Sequence, residues 1–160
     1  MIFIKRIAFL LFFITMTLSC EKGPYTTIPY AQVYLELKLE NLDSDLRTSL
    51  AYKEYTQKRF ETDRLGVGGI LVINGMGENQ INLFAFDLSC PVEIDRNIRV
   101  IPDNLSSSTA AVKTAITATC PKCGAVFNIV GGTGSPKSGT KYYLRSYRVS
   151  GSGMQFVVTN

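Results

Sequence analysis

Three cysteines carry the chemistry this chain could do. Cys90 stands in Asp87-Leu-Ser-Cys-Pro-Val-Glu93, and Cys120 and Cys123 stand in Thr119-Cys-Pro-Lys-Cys-Gly-Ala-Val-Phe-Asn128. A thiolate is both a nucleophile and a soft metal ligand. The Cys-Pro-Lys-Cys-Gly turn has the spacing by which small metal-binding domains aim two thiolates, and the backbone N–H groups beside them, at one ion. A closed tetrahedral zinc site needs four ligands, and Cys90 supplies only a third. A thioredoxin-like redox pair would open a helix after a strand. Here Gly-Ala-Val-Phe-Asn-Ile-Val follows the pair and reads as strand, which argues against dithiol exchange. Asp87, Glu93 and Asp95 read as solvated surface charge that could complete a site only if the loop moved. The sequence has no Ser-His-Asp set, no phosphate loop and no paired-carboxylate motif, and no histidine at all. No enzyme is expected.

The fourth cysteine belongs to a different function. Lys5 and Arg6 precede an apolar run from Ile7 to Met16, which has signal-peptide length and is short for a bilayer span. Thr17-Leu18-Ser19-Cys20 follows. A small residue before a Cys at this distance resembles a bacterial lipobox, although Leu18 lies one place later than the usual leucine. The expectation is a lipoprotein signal over 1–19, palmitate-type acylation of Cys20, an anchor and tether over 20–30, and one domain over 31–160. Several acyl chains hold a membrane far more firmly than one. The alternative is plain secretion with Cys20 as a stray thiol. The signal carries two of the 17 basic residues and none of the 13 acidic ones, which leaves a net charge of +2. That gives nucleic-acid binding no electrostatic support. Envelope thiols tend to oxidise. Three of them leave one free thiol, a metal site, or a bond to another molecule.

The elements that must position these cysteines read as strands. Val33, Leu35, Leu37 and Leu39 alternate with polar residues, the period of a half-buried strand. Asp43 to Phe60 is helix-like, with Leu46, Leu50 and Ala51 at helical spacing, and a surface helix or long loop fits it equally. Ile70 to Ile73 suits a buried strand. Asn74-Gly-Met-Gly77 is turn chemistry, and Ile81 to Leu88 is the return strand. Further strands are expected over 94–102, 112–119 and 125–130. Residues 131–139 form a Gly/Ser/Pro loop, and 142–149 with 154–158 make a closing hairpin. The aromatics Phe84, Phe86, Phe127, Tyr142, Tyr143 and Tyr147 are expected to pack the sheets. The sum is an antiparallel all-β domain.

From Phe84 onward the order of parts resembles a Rieske domain. An aromatic strand leads into Cys90-Pro91, and a second Cys loop follows a strand pair. Then come Gly124-Ala-Val-Phe-Asn-Ile, the Pro136 loop, Leu144-Arg-Ser-Tyr-Arg-Val149 and a last strand after Gly153. The match spans about half of the chain beyond residue 19, and its tail is the specific part. The early strand and the Ile70 strand look like Rieske-like lipoproteins of Gram-negative, Bacteroidetes-type envelopes. The resemblance implies a small β-sandwich or barrel with two Cys-bearing loops at one end. Cys90 and Cys120 match the two ligand cysteines, while Val92 and Cys123 stand where the ligand histidines belong. Both histidines of the usual 2Fe-2S centre are thus replaced. Cys90 should lie close enough to Cys120 or Cys123 for a disulfide. The expectation is a lipid-anchored structural or interaction protein with a degenerate cluster site. A 2Fe-2S electron carrier with non-standard ligands and a redox partner, or a structural zinc site, are the alternatives.

Overall fold

The computed structural model describes residues 25–77, 80–106 and 110–160. The signal, Cys20 and the first part of the expected tether lie outside them. The all-β, antiparallel class expected from the sequence is what the structure shows. Eleven strands are found among the described residues: β1 Val33–Lys38, β2 Tyr52–Tyr55, β3 Arg64–Leu65, β4 Ile70–Asn74, β5 Leu83–Asp87, β6 Ile101–Asn104, β7 Ala115–Thr119, β8 Val126–Asn128, β9 Pro136–Ser138, β10 Ser146–Ser152 and β11 Gln155–Thr159. Seven of them form one sheet in the order β2-β4-β5-β10-β11-β1-β3. The other four form a second sheet, β6-β7-β8-β9.

Alternation along the strands builds two cores. In β4, Leu71 and Ile73 face one core while Ile70 and Val72 face the other. That explains the unbroken apolar run: both faces of this strand are covered. The first core lies between the sheets, where Phe86 and Leu88 meet Ala118, Phe127 and Ile129. The second gathers Leu35, Leu37, Tyr55, Ile70, Val72, Ala85 and Val158, all from the large sheet or its margins. Side chains from strands that distant in the sheet can share one core only if the sheet curls around it.

Several expected elements are corrected. Asp43 to Phe60 is neither a helix nor one long loop. It holds a single 3-10 turn at Ser44–Arg47 and then β2. Leu50, placed at helical spacing with Leu46, takes a positive φ of 63° and breaks any helix there. The strand expected over 94–102 begins only at Ile101, because Ile94 belongs to the Cys90 loop at φ 54°. Pro136–Ser138, read as loop, adds an edge strand to β8, a position that tolerates proline. Residues 25–30, the end of the expected tether, lie against the domain. Ile28 is buried, its carbonyl accepts from Arg145 Nε at 3.0 Å, and Tyr143 N donates to the Tyr25 carbonyl.

Candidate metal centre

The strand alternation delivers the cysteines. Phe84, Phe86 and Leu88 turn toward the first core, and Cys90 continues their series two residues on. Ala118 and Cys120 do the same at the end of β7, and Ala125, Phe127 and Ile129 carry the chain away. Cys90 and Cys120 are completely buried, and Cys123 is half-buried. All three sulfur atoms lie within 4.8 Å of one another. The Cys90 and Cys123 sulfurs are 3.6 Å apart. The three are free thiols, since a disulfide holds its sulfurs at about 2.05 Å.

The two loops are built alike. Each begins Cys-Pro, and in each the N–H of the fifth residue returns to the first carbonyl: Ile94 to Cys90 at 3.0 Å, and Gly124 to Cys120 at 2.9 Å. In each that fifth residue has positive φ, 54° at Ile94 and 71° at Gly124. In each the N–H groups of the third and fourth residues reach the first sulfur: Val92 and Glu93 at Cys90, Lys122 and Cys123 at Cys120. The loops differ in how they close. Ala125 pairs back to Cys120 directly, whereas Cys90 pairs with Ile98 after a longer excursion. An ion pair of 2.6 Å between Lys122 Nζ and Glu93 Oε2 ties one loop to the other.

Burial pushes the Cys90 thiol up to about 12, and the adjacent Cys120 and Cys123 thiols add to this against the pull of the Glu93 and Val92 N–H groups. Burial also opposes ionisation of Cys120. There the N–H groups of Cys123 and Lys122, with the thiols of Cys90 and Cys123, outweigh it and hold the pKa below its ordinary value. Cys120 therefore ionises more readily than the buried Cys90.

The loop that carries Cys90 is braced from behind by Asp87. This carboxylate is a correction to the sequence reading, because it is fully buried rather than solvated. Its Oδ1 accepts from Gly68 N at 3.0 Å and Ser89 N at 2.7 Å, and its Oδ2 from Val67 N at 2.8 Å and Tyr147 Oη at 2.6 Å. Gly66 and Gly68 let the backbone approach: a Cβ on Gly68 would stand 2.7 Å from Ser89 N. Of the other two carboxylates, Asp95 is exposed and caps its own turn through Asn97 N. Glu93 is only 16% exposed at its side chain and faces Lys122. The sequence reading missed Tyr147 and the Gly66-Val-Gly68 segment as supports of the site. The paired glycines were the one available signal.

A Rieske centre does not fit these residues. It asks for two imidazoles on its second iron, and the chain has no histidine. Val92, at one of those positions, is aliphatic and 37% exposed. The donors of a two-iron cluster are divided between two metals, whereas these three sulfurs converge on one point. Four ligands at the zinc–thiolate distance of about 2.3 Å place neighbouring sulfurs about 3.8 Å apart, close to the Cys90–Cys123 separation.

No family model matches the chain, and no curated protein matches it in sequence. Among solved structures, a chain from the complex of reduced oxygenase and oxidized ferredoxin in carbazole 1,9a-dioxygenase overlaps it with a TM-score of 0.43 and 14% identity. The overlap covers 80% of this chain and 94% of that one.

Proposed function

We propose that this is a lipid-anchored protein of a Gram-negative cell envelope, with a Rieske-like domain whose cluster site has become a structural clasp. The role is non-enzymatic: the clasp fixes the end of the domain that meets an envelope partner. One observation carries the reading. Two loops from different strands bring three thiols within 4.8 Å of one another and offer no imidazole to a second metal. The signal-like start and the Cys at its end support acylation at Cys20. Thr27 lies seven positions beyond Cys20, at most about 25 Å of extended chain. The Thr27 hydroxyl donates to the carbonyl of Pro91, beside Cys90. The anchor thus keeps the Cys-loop end of the domain close to the bilayer surface.

The test is metal analysis with an absorption spectrum, on protein purified anaerobically from its native envelope. One dication per chain, with no iron and no visible absorption, is the expected result. Two irons per chain, with visible absorption that bleaches on reduction, would overturn the reading in favour of an electron carrier. Mass spectrometry of the N-terminal peptide should find Cys20 lipidated, and an unmodified Cys20 thiol would remove the anchor.

A further inference from the structure

We infer that Glu93 is the fourth ligand of a single tetrahedral zinc-class ion held by Cys90, Cys120 and Cys123. The inference rests on the clasp reading above and completes its site. It comes from the likeness of the two loops. Their Cys-Pro starts, their closing N–H to carbonyl bonds, their positive-φ fifth residues and their paired N–H groups at the first sulfur all correspond. Position for position, Cys123 in the second loop is Glu93 in the first. From that fourth position the second loop sends a sulfur to 3.6 Å from Cys90. The first loop carries a carboxylate at that position, turned to Lys122 and outside the group of three sulfurs in this structure. A carboxylate is a zinc ligand in its own right at about 2.0–2.2 Å.

The Lys122 ion pair already holds this carboxylate against the second loop, with its side chain 16% exposed. The ammonium stands in for the cation that the carboxylate would otherwise meet. When a dication enters, the thiols give up their protons to solvent, and Glu93 exchanges Lys122 for the metal. Lys122 then faces an anionic centre and remains as its counter-charge. Binding in this order is coupled to proton release, as for thiol sites in general.

Cobalt(II) reads both ligand number and ligand type. The full chain, purified in detergent, reduced and stripped by chelator, is titrated anaerobically with Co2+ and then with Zn2+. The expected result is one Co2+ per chain, intense tetrahedral d–d bands, thiolate-to-cobalt absorption, and displacement by zinc. Glu93→Gln should weaken Zn2+ at least roughly 10–100-fold, the loss typical even of supporting groups around a metal. Glu93→Cys should tighten it and move the d–d bands to the four-sulfur pattern, a gain that misfolding could not produce. Lys122→Ala should leave the tetrahedral bands in place. If Glu93→Gln binds as tightly as the parent and Glu93→Cys leaves the spectrum unmoved, Glu93 is not a ligand, although the three-thiol clasp stands. If the parent binds no Co2+ below millimolar concentration, both the ligand assignment and the clasp fail.

Discussion

Tyr147→Phe isolates one hydrogen bond at the base of the Cys90 loop. The phenol donates to Asp87 Oδ2 at 2.6 Å, and both groups are buried. Phenylalanine fills the same space, so the packing of the ring in the second core is kept. What is lost is a hydrogen bond to a charged acceptor, worth about 1.5–3 kcal/mol. Asp87 keeps the N–H groups of Val67, Gly68 and Ser89, which holds the loss near the lower half of that range, about 2 kcal/mol. At the entropy of a domain this size that is a fall in Tm of roughly 6–10 °C. Urea unfolding of the full chain, followed by far-UV circular dichroism, should show a lower midpoint with an unchanged slope. A cycle with Asp87→Asn should return a coupling energy of up to about 1.5–3 kcal/mol, since the amide takes away the charge of the phenol's acceptor. Hydrogen exchange at Val67, Gly68 and Ser89 should quicken in the single variant. A loss under about 0.5 kcal/mol, or strict additivity with Asp87→Asn, would refute the claim that this bond braces the loop.

The other perturbations test separate parts of the fold. Asp43 is fully buried and accepts from Lys38 N at 2.9 Å, Tyr55 Oη at 2.8 Å and Arg59 Nη1 at 2.8 Å, with Lys53 Nζ at 3.2 Å. Removing the acceptor with Asp43→Ala should cost about 3–5 kcal/mol in urea unfolding, because Arg59 is left unpaired. Burial works against the ionised form of Asp43, but the Lys38, Tyr55 and Arg59 bonds outweigh it, and its pKa lies below the ordinary 3.8. Its contribution is therefore complete above about pH 4 and is lost as pH falls further, so the acid limb of a stability–pH curve should flatten in Asp43→Ala. Burial, reinforced by Asp43 at Tyr55 and by Asp87 at Tyr147, raises both phenols above 10.0, against the opposing Arg59 and Arg145. Folding then keeps two protons that the unfolded chain sheds. Above pH 10 these two phenols between them should lower stability by up to about 2.7 kcal/mol per pH unit, and Tyr147→Phe should remove half of that share. Gly68→Ala places a methyl 2.5 Å from Ser89 Oγ and 2.7 Å from Ser89 N. It should cost about 1–3 kcal/mol by forcing the backbone beside Cys90 aside, and calorimetry would show it.

What the sequence made legible is whatever repeats along the chain. The alternation in β1 and the apolar run in β4 needed no partner to be read. The hairpin of β10 and β11 announced itself by two β-rich runs around Gly151-Ser-Gly153, and the strands there pair Arg148 with Thr159 through Ser152 with Gln155. β2 was not legible, because Tyr52-Lys-Glu-Tyr55 buries only its two tyrosines and leaves its middle polar. Asp87 was misread, and the burial of Asp43 went unread, for a related reason. A carboxylate looks solvated until its partners are known, and those of Asp43 lie 12 and 16 residues away while Tyr147 lies 60 residues from Asp87. The cysteines were legible as a group because Cys-Pro-x-Cys-Gly is local. The correspondence between Glu93 and Cys123 was not, because it rests on matching backbone bonds and positive φ rather than on residue type.

The two cores also bear on what the clasp does for the fold. Classical zinc fingers are unfolded without metal because they have no other core. Here Phe86, Leu88, Phe127 and Ile129 are fully buried around Cys90 and Cys120, so the strands that aim the thiols are fixed by apolar packing before any ion arrives. Metal removal should then lower Tm without unfolding the chain. With zinc at a hundred times its Kd the linked stabilisation is about 2.7 kcal/mol, or roughly 8–13 °C for a domain of this size. Cys123 is the residue on which to test this, because it is half-buried and its sulfur meets the others from the rim. Cys123→Ser should leave the metal-free Tm within a few degrees of the parent and abolish most of the rise on adding zinc. If the variant unfolds at the parent's zinc-loaded temperature, the sulfur is not holding metal. If the chelated parent is already unfolded at 25 °C, the apolar cores do not suffice, and the loops rather than the strands organise this fold.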